Sequence, residues 1–237
     1  MRPYVPVSLA SNRLLGELPA AEARALEARF EYVHLALGRC LHEPGEPLDY
    51  VLFPTAGIVA LVHVEESGAS TSTTVVGSEG LIGLSALLGG ETAMTRALVY
   101  APGGAYRLRI SDARTAFATN PRFQALILRF ARTLILELSH SAICNLRHGV
   151  EQQLCRFLLV CLDRLESDEI QMTHEQIASL LGIRRQGVTE TAKKLQERRI
   201  ISYSRGRMTV LDRRALEART CECYGLLRGQ PDLRAVA

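Results

Sequence analysis

The stretch from Thr173 to Asp212, THEQIASLLGIRRQGVTETAKKLQERRIISYSRGRMTVLD, decides how this chain reads. Thr173 and Gln176 stand at capping-box spacing, so a helix starts there, with Ile177, Ala178 and Leu181 toward a core. Gly182 permits a sharp turn, Ile183 packs beneath it, and a second helix begins near Arg184. On that helix Val188, Ala192 and Leu195 are spaced four and three apart and point inward. Two β-prone runs, IISY and MTVL, follow around Ser204-Arg205-Gly206-Arg207, a hairpin with a basic tip.

The face opposite Val188 carries Arg185, Gln186, Thr189, Glu190 and Lys193. Arginine can bridge guanine O6 and N7, glutamine can pair with adenine N6 and N7, and glutamate can accept from cytosine N4. The first turn of such a helix reaches furthest into a major groove. Arg184 and Lys194 lie toward the flanks and suit phosphates, as do Arg205 and Arg207 on the hairpin, which reads as a wing. The bland alternative is a generic charged amphipathic helix pair. Charge speaks against it: between Gly182 and Arg214 there are ten basic residues and three acidic ones. Double-stranded DNA is the expected partner.

Working outward, the 237 residues suit two domains, and 47% hydrophobic content supports real cores. The net charge of +3 is unevenly placed. Residues 1–120 hold nine basic and twelve acidic side chains; residues 121–237 hold nineteen and thirteen, so the positive excess lies in the DNA-facing half. No secretory signal and no run of 18 apolar residues is seen, so a cytoplasmic location without membrane contact is expected. The six cysteines contain no CxxC pair, which fits a reducing compartment.

Residues 12–29 read as an amphipathic helix whose main part starts at Pro19. From Tyr32 to Ile110, short β-prone runs alternate with turn clusters: EPGEP, PTAG, EESGAS, GSEG and APGG. This predicts a β-sandwich or β-roll, with one helical turn in GLSALLGG. Ser111 is expected to cap a short helix, and Asn120-Pro121 to start a long one reaching Arg147, roughly 40 Å at 1.5 Å per residue. Phe123, Ile127, Phe130 and Leu134 repeat at 4-3-4 spacing, with Leu138 extending the series. That pattern is a coiled-coil seam and suggests dimerisation, alongside burial of one face on the chain's own β domain. Gly149 interrupts the pattern, placing a hinge at residues 147–149. A further helix follows with Leu154, Phe157, Leu158, Cys161 and Leu162 as its core stripe.

The segment from Met172 to Leu211 resembles the winged helix-turn-helix of the Crp/Fnr family of bacterial transcription regulators. The family's architecture covers nearly the whole chain. The implied fold is α+β: a β-roll effector domain over residues 1–120, a long dimerisation helix and hinge over 121–148, a winged helix-turn-helix over 149–228 and a tail over 229–237. By resemblance, base reading falls on Arg185, Gln186 and Glu190, with Arg184 and Thr189 beside them. A homodimer on a palindromic site is implied, and RNA polymerase is a candidate partner.

The resemblance also implies a cyclic-nucleotide-binding-like cassette from Gly77 to Leu98. Binders of that class show Gly-Glu early and Arg-Ser or Arg-Thr late; here those positions read Gly83-Leu84 and Met94-Thr95, with Arg96 displaced by two residues. A buried phosphate would lack its partners, so a cyclic nucleotide is not the expected effector. Ser139 and His140 fall where family members present effector-contacting side chains, and either face a ligand or line a dimer groove. An iron–sulfur branch is disfavoured because no cysteine precedes Cys40; six histidines leave haem open. Cys221 and Cys223 are read as buried in a terminal helix, with redox sensitivity as the alternative. No metal ligands are assigned, and cofactor and effector stay unknown. Competing readings are a small-molecule-responsive regulator of the same family, or a small-molecule module whose C-terminal domain contacts protein. No GxSxG, HExxH or phosphate loop is present, so an enzyme is not expected.

Overall fold

The computed structural model describes residues 8–64, 70–165 and 167–228. The turn expected over residues 65–70 falls largely outside them, and the tail over 229–237 wholly so. The helix expected over 12–29 is divided into α1 (Arg13–Gly16) and α2 (Ala20–Glu27), after a 3₁₀ turn at Leu9–Ser11. Pro19 causes the break: it sits extended (φ −54°, ψ 141°) as the N-cap of α2 and biases the residue before it away from helix. Buried Asn12 accepts from the Leu15 N–H at 3.0 Å and donates to the carbonyls of Pro54 and Gly80 at 2.8 and 2.9 Å. One side chain thus caps α1 and pins it to the sheet.

Strands β1 (Glu31–Leu35), β2 (Cys40–His42), β3 (Tyr50–Val64), β4 (Ser70–Val76) and β5 (Arg96–Arg109) form an antiparallel sheet, ordered β1-β5-β3-β4 with β2 also on β5. Two expected turns are absent. PTAG lies inside β3 and APGG inside β5, and they face each other: Pro54 pairs with Ala105, Ala56 with Gly104 and Ile58 with Ala101. Register shifts between Pro54/Ala56, Ala56/Ile58 and Ile58/Val59 mark bulges, so the two strands bend together instead of reversing. Gly83 precedes the expected helical turn, Leu84–Leu87.

α3 (Ile110–Thr119) follows β5 directly, with Arg109 as its N-cap; Ser111 is not the expected cap, and its carbonyl accepts from the Thr115 hydroxyl. α4 (Pro121–Arg147) starts as expected, the Asn120 side chain accepting from the N–H groups of Arg122 and Phe123. It lays Phe123, Ile127 and Phe130 onto the inner face of the sheet, against Val51, Phe53, Val99 and Leu108.

The remaining elements are α5 (Val150–Leu165), β6 (Glu169–Gln171), α6 (His174–Leu181), α7 (Arg185–Glu197), β7 (Ile201–Ser204), β8 (Arg207–Val210), α8 (Arg213–Glu217) and α9 (Glu222–Arg228). The strand β6, which the sequence did not suggest, joins β8 and extends the hairpin to three strands. The α5 stripe of Leu154, Leu158, Cys161 and Leu162 is buried with Ile58, Ala60, Val62 and Val75 of the outer sheet face in one continuous cluster. The C-terminal unit therefore leans on the β domain.

A buried ionic network crosses the same junction. Arg164 on α5 meets Glu79 at 2.9 Å and Glu137 of α4 at 2.7 Å, and donates to the Val75 carbonyl. The Thr74 hydroxyl donates to the other Glu137 oxygen at 2.6 Å. Charges this far from water persist only when each is paired and hydrogen-bonded.

Candidate nucleic-acid interface

Helix α6 opens with the full capping box, Thr173 Oγ1 accepting from Gln176 N–H while the Gln176 side chain accepts from Thr173 N–H. It closes on Gly182 in the left-handed region (φ 65°, ψ 33°), where a Cβ would strain the backbone. The chain turns there and α7 begins one residue after Arg184, its N-cap. Val188, Ala192 and Leu195 are wholly buried, which fixes the rotation of α7 about its axis.

The opposite face is open. Arg184, Arg185, Gln186, Thr189, Glu190, Lys193 and Lys194 are all exposed, Arg185 with 69% of its side chain accessible. The side chains that could read bases hold one another: Gln186 Nε2 donates to Glu190 Oε1 at 2.8 Å. Arg185 lies 3.8 Å from Glu175, Lys193 4.0 Å from Glu197, and Arg207 3.2 Å from Glu169. Pairs this exposed contribute little, so their cations can exchange carboxylate for phosphate or base at small cost. The wing tip is a two-residue turn with φ 51° at Arg205 and φ 78° at Gly206, the sign pattern of a type I′ hairpin. Glycine suits its position, and Arg205 is left fully projecting.

Sequence reasoning missed the piece that joins these parts. His174, one of the six histidines, stacks on Tyr203 of the wing, ring centroids 4.0 Å apart at 20°. Its Nδ1 lies 3.1 Å from Thr189 Oγ1. That hydroxyl donates to the Arg185 carbonyl at 3.0 Å, so Nδ1 is assigned as the donor in their contact. The imidazole links the start of α6, the exposed face of α7 and the wing. Burial, and then the nearby Arg185 charge, hold its pKa below the ordinary value and keep it neutral.

The proposed dimer seam needs correction. Phe123 and Ile127 are 0% exposed and Phe130 is buried, all within the β-domain core, and Leu134 packs against that core. Only Leu138 of the five stays exposed, because the 4-3-4 stripe is the side that α4 turns to its own sheet. The exposed apolar positions of α4 lie about a third of a turn round the helix from that stripe: Leu128, Ile135 (63%), Ala142 and Leu146 (83%), with Ile143 beside them.

The residues considered for an effector are dispersed in their engagements. Arg96 is held by Glu43, Nε to Oε2 at 2.7 Å. Met94 is 78% exposed. The Ser139 hydroxyl donates to the Ile135 carbonyl on its own helix at 2.9 Å, and His140 is half-buried. Gly83 is left-handed at the start of its helical turn, Leu84 is half-buried there, and Thr95 is half-buried beside Arg96. Cys221 and Cys223 are buried, as expected, but beside Cys144, not alone. Among the described residues no helix is long and apolar enough to cross a membrane.

Comparison with known proteins agrees with this geometry. Residues 152–219 match the Crp-like helix-turn-helix domain. The global nitrogen regulator of Nostoc sp. (strain PCC 7120) is 28% identical over 178 residues, spanning 70% of this chain and 79% of that protein. Its counterpart in Synechococcus elongatus is 26% identical over 189 residues, spanning 76% and 85%. The structure of FixK2 from Bradyrhizobium japonicum superposes with a TM-score of 0.71 at 14% identity, covering 81% of this chain and 98% of that one. A Crp-family transcriptional regulator from Thermus thermophilus gives 0.68 at 18% identity, covering 79% and 95%. The structural likenesses speak for the fold; the helix-turn-helix match and the sequence relatives carry the function. The chain is a transcription regulator with a Crp-like helix-turn-helix DNA-binding domain near its C-terminus.

Proposed function

We propose that the protein works in the cytoplasm as a homodimer on a palindromic operator, each α7 lying in a major groove. The observation that carries this is the division of α7: one face wholly buried at Val188, Ala192 and Leu195, the other offering an exposed basic and amide surface. Arg185, Gln186 and Glu190 read bases, and Thr189 and Lys193 border them. Arg184, Lys194, Arg205 and Arg207 hold phosphates. Two copies meet along Leu128, Ile135, Ser139, Ala142 and Leu146, a stripe of 7-4-3-4 spacing on the free side of α4. RNA polymerase is the machinery such a dimer would recruit or block.

The β domain biases the dimer without binding a cyclic nucleotide. Leu84 stands where the resemblance asks for a ribose-binding glutamate, and Arg96 is already engaged by Glu43. The test is fluorescence anisotropy on a selected operator. Binding should fall with salt at a log–log slope of about −0.9 per phosphate contacted. Arg185→Ala should cost roughly 1–3 kcal/mol on the operator and relax preference at one base pair. An Arg185→Ala protein with unchanged sequence preference would remove the proposed register.

A further inference from the structure

Four side chains far apart in sequence converge where α4 ends. Cys144 lies in the last turn of α4, His148 is the residue that caps it, and Cys221 and Cys223 bracket the start of α9. Their three Sγ atoms and one imidazole nitrogen all lie within 4.8 Å of one another. Cys144 and Cys221 Sγ are 3.6 Å apart, and Cys223 Sγ is 3.8 Å from His148 Nδ1. Donor atoms around one tetrahedral zinc, at about 2.3 Å for sulfur and about 2.0 Å for nitrogen, stand roughly 3.5–3.8 Å from each other. The quartet has the spacing of ligands that share a single ion.

The surroundings match as well. With Nδ1 turned to the thiols, His148 Nε2 lies 3.3 Å from Glu222, the carboxylate–histidine arrangement that orients a metal-bound imidazole. Gln153 donates to the His148 carbonyl at 2.7 Å and holds the turn in place. Three thiolates on a divalent ion leave one net negative charge, and the buried Arg156 guanidinium acts electrostatically on both Cys144 and Cys223. An iron–sulfur cluster distributes its thiolates over different irons and needs them more widely spread.

We propose that Cys144, His148, Cys221 and Cys223 bind one structural Zn²⁺, which clamps the end of α4 to the α8–α9 connection of the DNA-binding domain. The four positions are filled by protein, so the site is closed and non-catalytic. The clamp straddles the break between α4 and α5, and so limits how far the C-terminal unit can turn relative to the long helix.

The test uses the full chain purified under reducing conditions, refilled with Zn²⁺ and dialysed, with metal content read by mass spectrometry. About one zinc per chain is expected, retained in Cys155→Ala and lost in Cys221→Ser. Because Cys221 is buried and its replacement also touches the packing, Glu222→Gln at the exposed partner of His148 supplies a second readout: zinc affinity should fall by about 10–100-fold with the circular dichroism spectrum unchanged. Cobalt in place of zinc should give the intense visible bands of tetrahedral thiolate coordination. A folded protein that takes up no zinc, an octahedral cobalt spectrum, iron with acid-labile sulfide, or a Cys144–Cys221 disulfide in the reduced protein would each overturn the assignment. DNA binding is scored separately, so a protein that holds zinc but ignores DNA would fail the proposed function and leave the metal site standing.

Discussion

His42 and His174 show how single side chains make this protein sensitive to acid. Burial lowers the pKa of His42, against the opposing influence of a backbone contact with Thr95 and of the Glu46 and Glu43 charges. Burial and then Arg185 lower that of His174. Both folded values therefore lie below the unfolded value of about 6.5. Above that pH neither state is protonated and the fold keeps its full stability. As pH falls below it toward the folded values, the unfolded chain takes up protons that the native imidazoles refuse, and stability is lost. Urea midpoints should decline as pH falls below about 6.5, and His42→Leu should flatten part of that decline. An identical pH slope in His42→Leu would show that His42 has no share in it. His174 also marks a limit of the sequence. Its neighbours Thr189 and Tyr203 were legible as α7 and wing residues, but their meeting point was not, because stacking depends on how the wing folds back.

Helix α4 makes the same point for an element. Its start, its length and its amphipathic character could all be read from Asn120-Pro121 and the apolar periodicity. Which apolar stripe faces inward could not, since two stripes at coiled-coil spacing run along different sides of the helix. The 4-3-4 series at Phe123 contains the larger aromatic residues, and these fill the sheet's inner face against Phe53. The consequences separate cleanly. Phe123→Ala should cost about 3–5 kcal/mol of stability by leaving a cavity, without first dissociating a dimer. Ile135→Asp should do the reverse: the thermal midpoint of the monomer stays near that of the parent, while analytical ultracentrifugation shows loss of the dimer. A dimer that survives Ile135→Asp would argue against the stripe. The strands carry a related lesson. Pro and Gly in PTAG and APGG are ordinary turn signals, yet across a sheet two such segments can pair and bend together, which only the partner strand reveals.

At the scale of the whole molecule, two of the connections among the β domain, α4 and the DNA-binding unit are open to separate tests. One is the apolar contact of Ile58, Ala60, Val62 and Val75 with the α5 core. The other is Arg164 between Glu79 and Glu137, where an arginine inside an amphipathic helix reads as surface from sequence alone. Removing one partner leaves an uncompensated charge in a dry site, so Arg164→Ala or Glu137→Ala should destabilise by roughly 3–5 kcal/mol. The paired change Glu137→Gln with Arg164→Met should cost less than the sum of the single changes. Strict additivity of the singles and the double, in urea titrations, would show that the two groups are not coupled. The network ties Glu79 and Thr74 of the β domain to α5, Glu79 directly and Thr74 through Glu137 of α4, a physical contact separate from the break at residues 147–149.

Local chemistry made the helix-turn-helix and its exposed basic face legible: a capping box, a left-handed glycine, one buried stripe and a basic hairpin specify their own geometry within forty contiguous residues. Tertiary structure alone decided which side of α4 is covered, which carboxylates neutralise Arg164, and that Cys144 and His148 meet Cys221 and Cys223. Those contacts join residues tens of positions apart, and sequence periodicity records the face a side chain shares but not the partner it meets.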